Sequence, residues 1–293
     1  MNVGVDFALF RHRLSGTIEY YNKYSVDLLA AINGSPTQGF GYTTLMTNNG
    51  KMVNRGVEIT LSGEIIRQKD FSWNASLLYA FNRNKVKHIS VQPSLWDSRI
   101  SMPTSYPMVG KPLYGIYAYK WAGLNENGDP QVYDAENNVT SGPARDYHAL
   151  VYCGTTVPIH NASLTNVLRY KGFEFSAMLI LDAGHKLRSS NIPSINMSNG
   201  RITSTAKGIV DRWTQPGDVT DVPRLLFSND TENFNTHRTE LYRYSDLFVY
   251  DASNIRLSNI SLAYRVPAHW CKKISLSGAR LQFNVENVAT FAF

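Results

Sequence analysis

The sequence predicts an all-β chain: an antiparallel transmembrane β-barrel segment that forms a partial barrel wall with long external loops. Apolar and polar residues alternate with period two, and the alternating runs reach roughly ten residues or more, the span of a tilted strand across a bilayer. Short turns and long loops also succeed one another along the chain. Composition agrees. Aromatic residues make up 12% of the 293 residues, led by 17 Tyr, while 18% are charged, a balance suited to strands rather than solvated helices. Length alone admits one large β domain or two average ones.

The first hairpin places Val3, Val5, Phe7 and Leu9 on one face and turns at Arg11-His12-Arg13. It returns with Ile18, Tyr20, Tyr24 and Val26 against Thr17, Glu19, Lys23 and Ser25. Beyond a Gly/Thr/Asn-rich loop at 33–50, Val57, Ile59, Leu61 and Ile65 alternate with Glu58, Thr60, Ser62 and Glu64. After the polar link Arg67-Gln68-Lys69-Asp70, the partner strand sets Phe71, Trp73, Ala75, Leu77, Tyr79 and Phe81 against Ser72, Asn74, Ser76 and Asn82. Residues 85–157 mix Pro, Gly, Asn and Trp and alternate only around 114–121, so they read as an extended loop with some strand content.

Alternation resumes in Ala162, Leu164, Leu168 and Tyr170. A tight Lys171-Gly172 turn leads to Phe173, Phe175, Ala177, Leu179 and Leu181 against Glu174, Ser176 and Asp182. Residues 184–245 are again loop-like, with turn chemistry in Trp213-Thr214-Gln215-Pro216-Gly217-Asp218. Strands are expected near 247–262 and 275–293, the last with Leu281, Phe283, Val285, Ala289, Phe291 and Phe293 on one parity.

Alternation alone also suits a half-buried strand of a sandwich. Run length separates the two, because strands of globular proteins usually stop near five or six residues. Aromatic ends such as Phe71, Trp73 and Phe81 fit the girdles that flank a lipid-facing band. The polar faces, with Glu58, Glu64, Asn74, Glu174, Arg280, Gln282 and Glu286, are expected to line the lumen. Charge is tolerated there, whereas Arg or Lys at mid-depth on the lipid face costs about 2–4 kcal/mol.

Several chemistries lack their signatures. No run of about 18 apolar residues marks a membrane-crossing helix. The opening Met1-Asn2-Val3-Gly4-Val5-Asp6 has neither the basic nor the apolar region of a signal peptide, and a strand starting at Val3 predicts a chain missing its natural beginning. Cys153 and Cys271 lie far apart and predict neither a disulfide framework nor a thiolate metal site. The net charge of +6 is scattered, so no nucleic-acid partner is expected. His12, His88, His148, His160, His185, His237 and His269 show no close metal spacing.

No nucleophile elbow, phosphate-binding loop or dinucleotide fingerprint occurs, and no cofactor is expected. Asp218 with Asp221 and Glu58 with Glu64 are carboxylate pairs of the kind any polar strand face carries. No catalytic, cofactor-binding, metal or substrate-binding residue is therefore assigned, and an enzyme is not expected. Trp96, Tyr106, Trp213, Phe234 and Tyr242 lie in loop-like stretches. They suit either stacking on sugars or a capping partner, or packing among the loops themselves.

Asn49-Gly50-Lys51-Met52-Val53-Asn54-Arg55-Gly56-Val57-Glu58 carries a likeness of another kind, as do Phe71-Ser72-Trp73-Asn74 with Phe81-Asn82-Arg83-Asn84-Lys85-Val86. Trp121-Ala122-Gly123-Leu124-Asn125 with Gly128-Asp129-Pro130-Gln131, and Asp251-Ala252-Ser253-Asn254-Ile255-Arg256-Leu257-Ser258-Asn259-Ile260-Ser261-Leu262, extend it. So do Tyr170-Lys171-Gly172-Phe173, Gly184-His185-Lys186 and Asp221-Val222-Pro223-Arg224. Together these runs resemble the C-terminal barrel region of the SusC/RagA type of TonB-dependent outer-membrane transporters of Bacteroidetes.

The resemblance implies that residues 1–293 are the C-terminal part of a receptor β-barrel, with the plug domain and N-terminal strands absent from the sequence. It implies an outer-membrane location, contact with outer-membrane lipid, and import of glycans, oligosaccharides or peptides. The expected partners are a SusD-like surface lipoprotein and the TonB complex. Two other readings stand beside it. One is a soluble β-sandwich that binds glycans; the other is a small self-closed outer-membrane barrel ending on Phe293. An open sheet in lipid leaves two edges of unpaired N–H and C=O groups, so closure or further strands must satisfy them.

Overall fold

The computed structural model describes all residues except 34–38, 40–43, 91–97, 143–145, 198–205 and 228–235. The chain opens with a meander of long strands, β1 (Asn2–Leu9), β2 (Leu14–Asn33), β3 (Thr44–Arg67) and β4 (Phe71–His88). The turn between β1 and β2 holds Phe10, Arg11 and His12 at positive φ. β3 has 24 residues, about 80 Å at roughly 3.3 Å per residue. That is more than a tilted strand needs to cross a membrane, so the meander projects beyond it.

The expected extended loop at 85–157 is more ordered than its composition suggests. It carries the short helix α1 (Ser98–Ser101) and strands β5 (Gly115–Tyr119), β6 (Trp121–Leu124), β7 (Pro130–Tyr133), β8 (Val139–Thr140) and β9 (Leu150–Thr155). β10 (His160–Tyr170) and β11 (Phe173–Ala183) form the expected hairpin around Lys171-Gly172.

The second loop-like stretch holds β12 (Lys186–Arg188), β13 (Asn196–Met197), β14 (Leu226–Phe227), helix α2 (Thr236–Arg243) and β15 (Val249–Asp251). β16 (Asn254–Arg265), helix α3 (Ala268–Lys273) and β17 (Arg280–Ala292) finish the chain. The strand expected at 247–262 thus divides into β15 and β16. The connection holding α3 is longer than the other turns at its end of the sheet.

The long strands form one antiparallel eight-stranded sheet in the order β1-β2-β3-β4-β10-β11-β16-β17. β1 and β17 stand at its two edges and do not pair with each other. This excludes the self-closed small barrel for the chain as it stands, and among the described residues no second large sheet covers a face as a sandwich requires.

Register shows how the sequence builds the wall. Ile59, Tyr79, Ala162 and Leu181 lie in one row, and Leu61, Leu77, Leu164 and Leu179 in the next. Successive strands therefore put their apolar parity on the same face. At β16 the chain inserts Ser258 as a bulge, where Met178 pairs Asn259 and Leu179 pairs Leu257. The odd-numbered Ile255 and Leu257 thereby share a face with the even-numbered Ile260 and Leu262. A one-residue bulge changes parity without exposing the wrong face.

Aromatic residues mark both ends of the apolar band. Toward the short turns, Trp73 Nε1 donates to Asn166 Oδ1 at 3.1 Å, and Phe173 packs on Tyr264 with centroids 4.5 Å apart. Toward the long loops, Tyr79 Oη lies 2.9 Å from His160 Nδ1, and the Phe81 ring lies 5.3 Å from that histidine. An apolar ring with a satisfied polar tip suits the water-lipid boundary. Phe71 and Phe81 are ten residues apart on β4, about 33 Å along the strand and about 25 Å along the normal once tilted.

Candidate functional site

The candidate site is the polar face of the wall together with the loop assembly on its long-loop end. All seven residues expected in the lumen fall on the polar parity. Glu58 pairs Ala80, Glu64 pairs Asn74, Gln282 pairs Ala263, Arg280 pairs Arg265, and Glu286 pairs Asn259. Arg169 Nε and Arg280 Nη2 both donate to the Glu174 carboxylate, at 2.8 and 3.1 Å. Thr17 Oγ1 donates to Asp6 Oδ1 at 2.6 Å. Gly56 sits under Tyr21 on this face: a Cβ there would meet the phenol oxygen and Phe81 O, each at 2.4 Å. The Asn54-Arg55-Gly56 run therefore needs its glycine so that a tyrosine can lie flat across it.

The outer loops build a dry core of their own. β5 pairs with β9, and all five residues of β5 are buried. Tyr117, Tyr119, Val132, Ala149, Leu150 and Leu241 pack as one cluster; Ile195, Tyr242 and Phe248 form a second, with Trp121 against both. The Tyr242 and Phe248 rings meet edge to face at 4.9 Å. Burial pushes the Tyr242 hydroxyl far above its usual titration range.

Three arginines fasten these pieces together. Arg238 on α2 is 3% exposed. It donates to Asp129 Oδ1 at 3.1 Å, to Ile195 O at 3.1 Å, to Arg224 O at 2.7 Å and to Asn196 Oδ1. Arg224 grips the same Asp129 through both carboxylate oxygens, at 3.1 and 2.8 Å. Arg188 on β12 donates to Tyr117 O at 2.6 Å and Ser245 O at 3.2 Å, beneath the Tyr244 ring. Burial lowers the pKa of both Arg188 and Arg238, and for Arg238 the Asp129 carboxylate opposes that shift.

The loops join the wall at two places. Gly110 and Lys111 exchange backbone hydrogen bonds with Val86 at 2.9 Å, which extends the sheet past the end of β10. At the other junction, Asp251 Oδ1 accepts the Ser253 N–H at 2.8 Å, Lys186 Nζ reaches Asp251 at 2.9 Å, and Ser253 Oγ accepts the Gly184 N–H at 3.0 Å. Gly184 has φ +79°, so a side chain there would be strained.

Among the described residues, these loop aromatics pack rather than project. Tyr242 is in the core, and the Trp213 ring lies against Gly128, whose added Cβ would come within 2.4 Å of it. Tyr106 is half-buried, its carbonyl accepting from Arg99. Trp96 and Phe234 lie outside the described residues. Asp218 accepts three hydrogen bonds from Thr214 and Gln215, while Asp221 accepts the Trp121 indole N–H, so this carboxylate pair is divided between two structural tasks. Among the described residues no group of three or more His, Cys, Asp or Glu side chains could hold a metal ion, and Cys153 and Cys271 are both free.

Asp129, Arg224 and Arg238 were not singled out as a site by the sequence. The runs Gly128-Asp129-Pro130 and Pro223-Arg224 were visible only as likeness, without a role.

An apolar-out, polar-in sheet with aromatic girdles and consolidated loops at one end defines the wall of an outer-membrane β-barrel. The chain belongs to the TonB dependent receptor-like β-barrel family, whose model matches residues 1–288. It is 25% identical over 309 residues to TonB-dependent receptor P3 of Formosa agariphila, covering 99% of this chain and 29% of that protein. It is 24% identical over 300 residues to TonB-dependent receptor SusC of Bacteroides thetaiotaomicron, covering 98% of this chain and 28% of that protein.

A chain of the RagAB peptide transporter superposes with a TM-score of 0.77 at 21% identity, covering 99% of this chain and 31% of the other. The RagAB peptide importer in its open-open state gives 0.76 at 20% identity, covering 100% of this chain and 31% of the other. These likenesses establish the fold. The chain spans under a third of the length of the relatives it matches.

Proposed function

We propose that this chain supplies part of the wall and the outer loops of a TonB-dependent outer-membrane importer of glycans, oligosaccharides or peptides. The observation that supports it is the pairing of a continuous polar strand face with a loop assembly fixed over one end. In this reading residues 1–293 are the C-terminal part of the receptor barrel, and further strands pair with the open edges of β1 and β17. A plug domain, supplied by another part of the protein, occupies the lumen against Glu58, Asn74, Glu174 and Gln282. The clamped loops present a rigid rim to a SusD-like surface lipoprotein, and the TonB complex supplies energy through the plug. The chain contributes wall and rim rather than catalysis.

Uptake of labelled oligosaccharide and labelled peptide by the source cells tests this, with the encoding gene deleted and then restored. Energy-dependent uptake of one cargo class is expected to disappear on deletion and return on restoration. Undiminished uptake of both classes overturns the proposal.

A further inference from the structure

The apolar face of β3 and β4 does not end where the lipid band ends. Beyond Phe81, the same parity of β4 continues with Arg83, Lys85 and Lys87, and the register sets Arg55 beside Arg83 and Val53 beside Lys85. No bulge interrupts the pairing between Leu61 with Leu77 and Val53 with Lys85. Arg55, Arg83 and Lys85 therefore point to the same side as the lipid-facing residues below them, and Lys87 follows at the bulge where Lys51 pairs His88 and Met52 pairs Val86. Arg83 lies about 7 Å along the strand past Phe81, and strand tilt reduces this to about 5 Å of height. The bilayer's polar layer is about 5–7 Å deep on each side of its hydrocarbon, which places the Arg55 and Arg83 backbone within the headgroups and that of Lys85, about 10 Å above Phe81, just outside them with its side chain in reach.

Arg55, Arg83, Lys85, Lys87 and Lys111 line one cavity of about 540 Å³. Its lining contains no carboxylate, and none of the five has a carboxylate partner in an ion pair among the described residues. Arg55 Nε donates to the amide oxygen of Asn22 at 3.2 Å, and Lys111 lies 4.8 Å from the centre of the Tyr152 ring. The rest of the wall is largely apolar: Val53, Phe81, Val157, Pro158 and Ile159. Cations that line one cavity of this volume repel one another unless an anion lies between them, since screening acts over a Debye length of about 8 Å. A phosphate on an amphiphile satisfies both halves of the cavity, its charge among the cations and its apolar part on Phe81 and the band below.

The geometry points to a binding site for the phosphate-bearing headgroup of an outer-leaflet lipid, formed on the outside of the barrel wall by Arg55, Arg83, Lys85, Lys87 and Lys111. This site is separate from the lumen, so its occupancy and cargo uptake can fail independently. The lipid holds the wall at a fixed height and ties β4 to the segment at 110–112.

The test titrates the native outer-membrane polypeptide that carries this sequence, in phosphatidylcholine nanodiscs, with phosphorylated lipid A and with its dephosphorylated form, counting bound lipid by native mass spectrometry. Preferential retention of the phosphorylated form is expected. Arg83→Gln with Lys85→Gln is expected to weaken it about thirty-fold, at roughly the contribution of one basic residue near a charged bilayer surface for each charge removed. Lys120→Gln with Lys207→Gln, which removes equal charge from exposed loop positions, is expected to leave it unchanged. Arg83→Lys keeps the charge and is expected to retain most of the binding, which separates loss of charge from loss of folding. Equal retention of both lipid forms, unaltered binding by the double variant, or an equal loss in the loop control overturns the assignment. Displacement of the lipid by inorganic phosphate also overturns it, because the cavity would then be a site for the free ion.

Discussion

The wall and the loop assembly bury their apolar residues in opposite directions. In the wall, Val5, Ile18, Leu262, Phe283 and Phe291 remain exposed, because their partner is lipid. In the loops, Tyr117, Tyr119, Val132, Ile195, Leu241 and Tyr242 are closed off from solvent, as in a water-soluble domain. Among the described residues of the large sheet's strands, Val53, Val86 and Ala263 are the buried hydrophobic ones. Backbone pairing and the surrounding bilayer hold the wall, while packing, the buried Arg238 and the half-buried Arg188 and Arg224 hold the loops. A change that damages one region is therefore expected to spare the other.

The largest expected effect is in the loops. Arg238→Ala removes one of the two guanidinium partners of Asp129 and the Arg238 donor to Arg224 O, and leaves Ile195 O with the Leu226 N–H as its donor. Breaking a buried pair from one side costs about 3–5 kcal/mol, and the Arg224 guanidinium that stays on Asp129 sets the expected loss at or below the lower figure. Hydrogen exchange of the native polypeptide is expected to rise sharply at 129–133, 195–197 and 224–227 while β4, β10 and β11 stay protected. Loss of protection in the wall as well would show that the two regions form one cooperative unit.

A pair of substitutions on one strand probes the wall. Leu77 lies at mid-band on the lipid parity, between Leu61 and Leu164, and Ser76 faces the other way between Ser62 and Thr165. Leu77→Arg is expected to destabilise refolding into bilayers by about 2–4 kcal/mol, whereas Ser76→Arg stays within about 0.5 kcal/mol. Refolding from urea, followed by tryptophan fluorescence, gives both numbers. Equal costs would mean that the polar parity is also desolvated.

The same contrast explains what the sequence revealed. Period-two alternation survives in the wall because every residue there faces one of two solvents, so all seven lumen residues could be placed by parity. Short-turn positions at Arg11-His12-Arg13 and Lys171-Gly172 were equally legible. The loop core has no period. Arg238 meets Asp129 at a sequence separation of 109, and Arg224 meets it at 95, so nothing local announces the clamp. Tyr242 and Trp213 illustrate the cost of that silence, since an aromatic in a polar stretch suits a sugar platform and a core anchor equally well until its neighbours are known. The Asp251-Ala252-Ser253-Asn254 run was conspicuous as a motif, yet its task as a junction appears only once Gly184 and Lys186 are brought beside it.

That junction supplies the smallest expected effect and the finest test of separation. Hydrogen bonds from Ser253 and Lys186 hold the Asp251 carboxyl well below the usual carboxylate range. A folded pKa below the unfolded one, about 3.9 for Asp, means that the contribution is complete above that value and declines as pH falls toward the depressed folded value. Acidification below about pH 4 is thus expected to loosen β12 from β15. The Gly184 and Ala252 amides, which donate to Ser253 Oγ and His185 O, should exchange faster after correction for intrinsic rates. Exchange in the Arg238 cluster should not follow, because no carboxylate of that cluster shares hydrogen bonds with Asp251. Asp251→Asn is expected to abolish the pH dependence at this junction. If the acceleration persists in that variant, protonation elsewhere is opening the loops, and Asp251 is not the group that ties them to the wall.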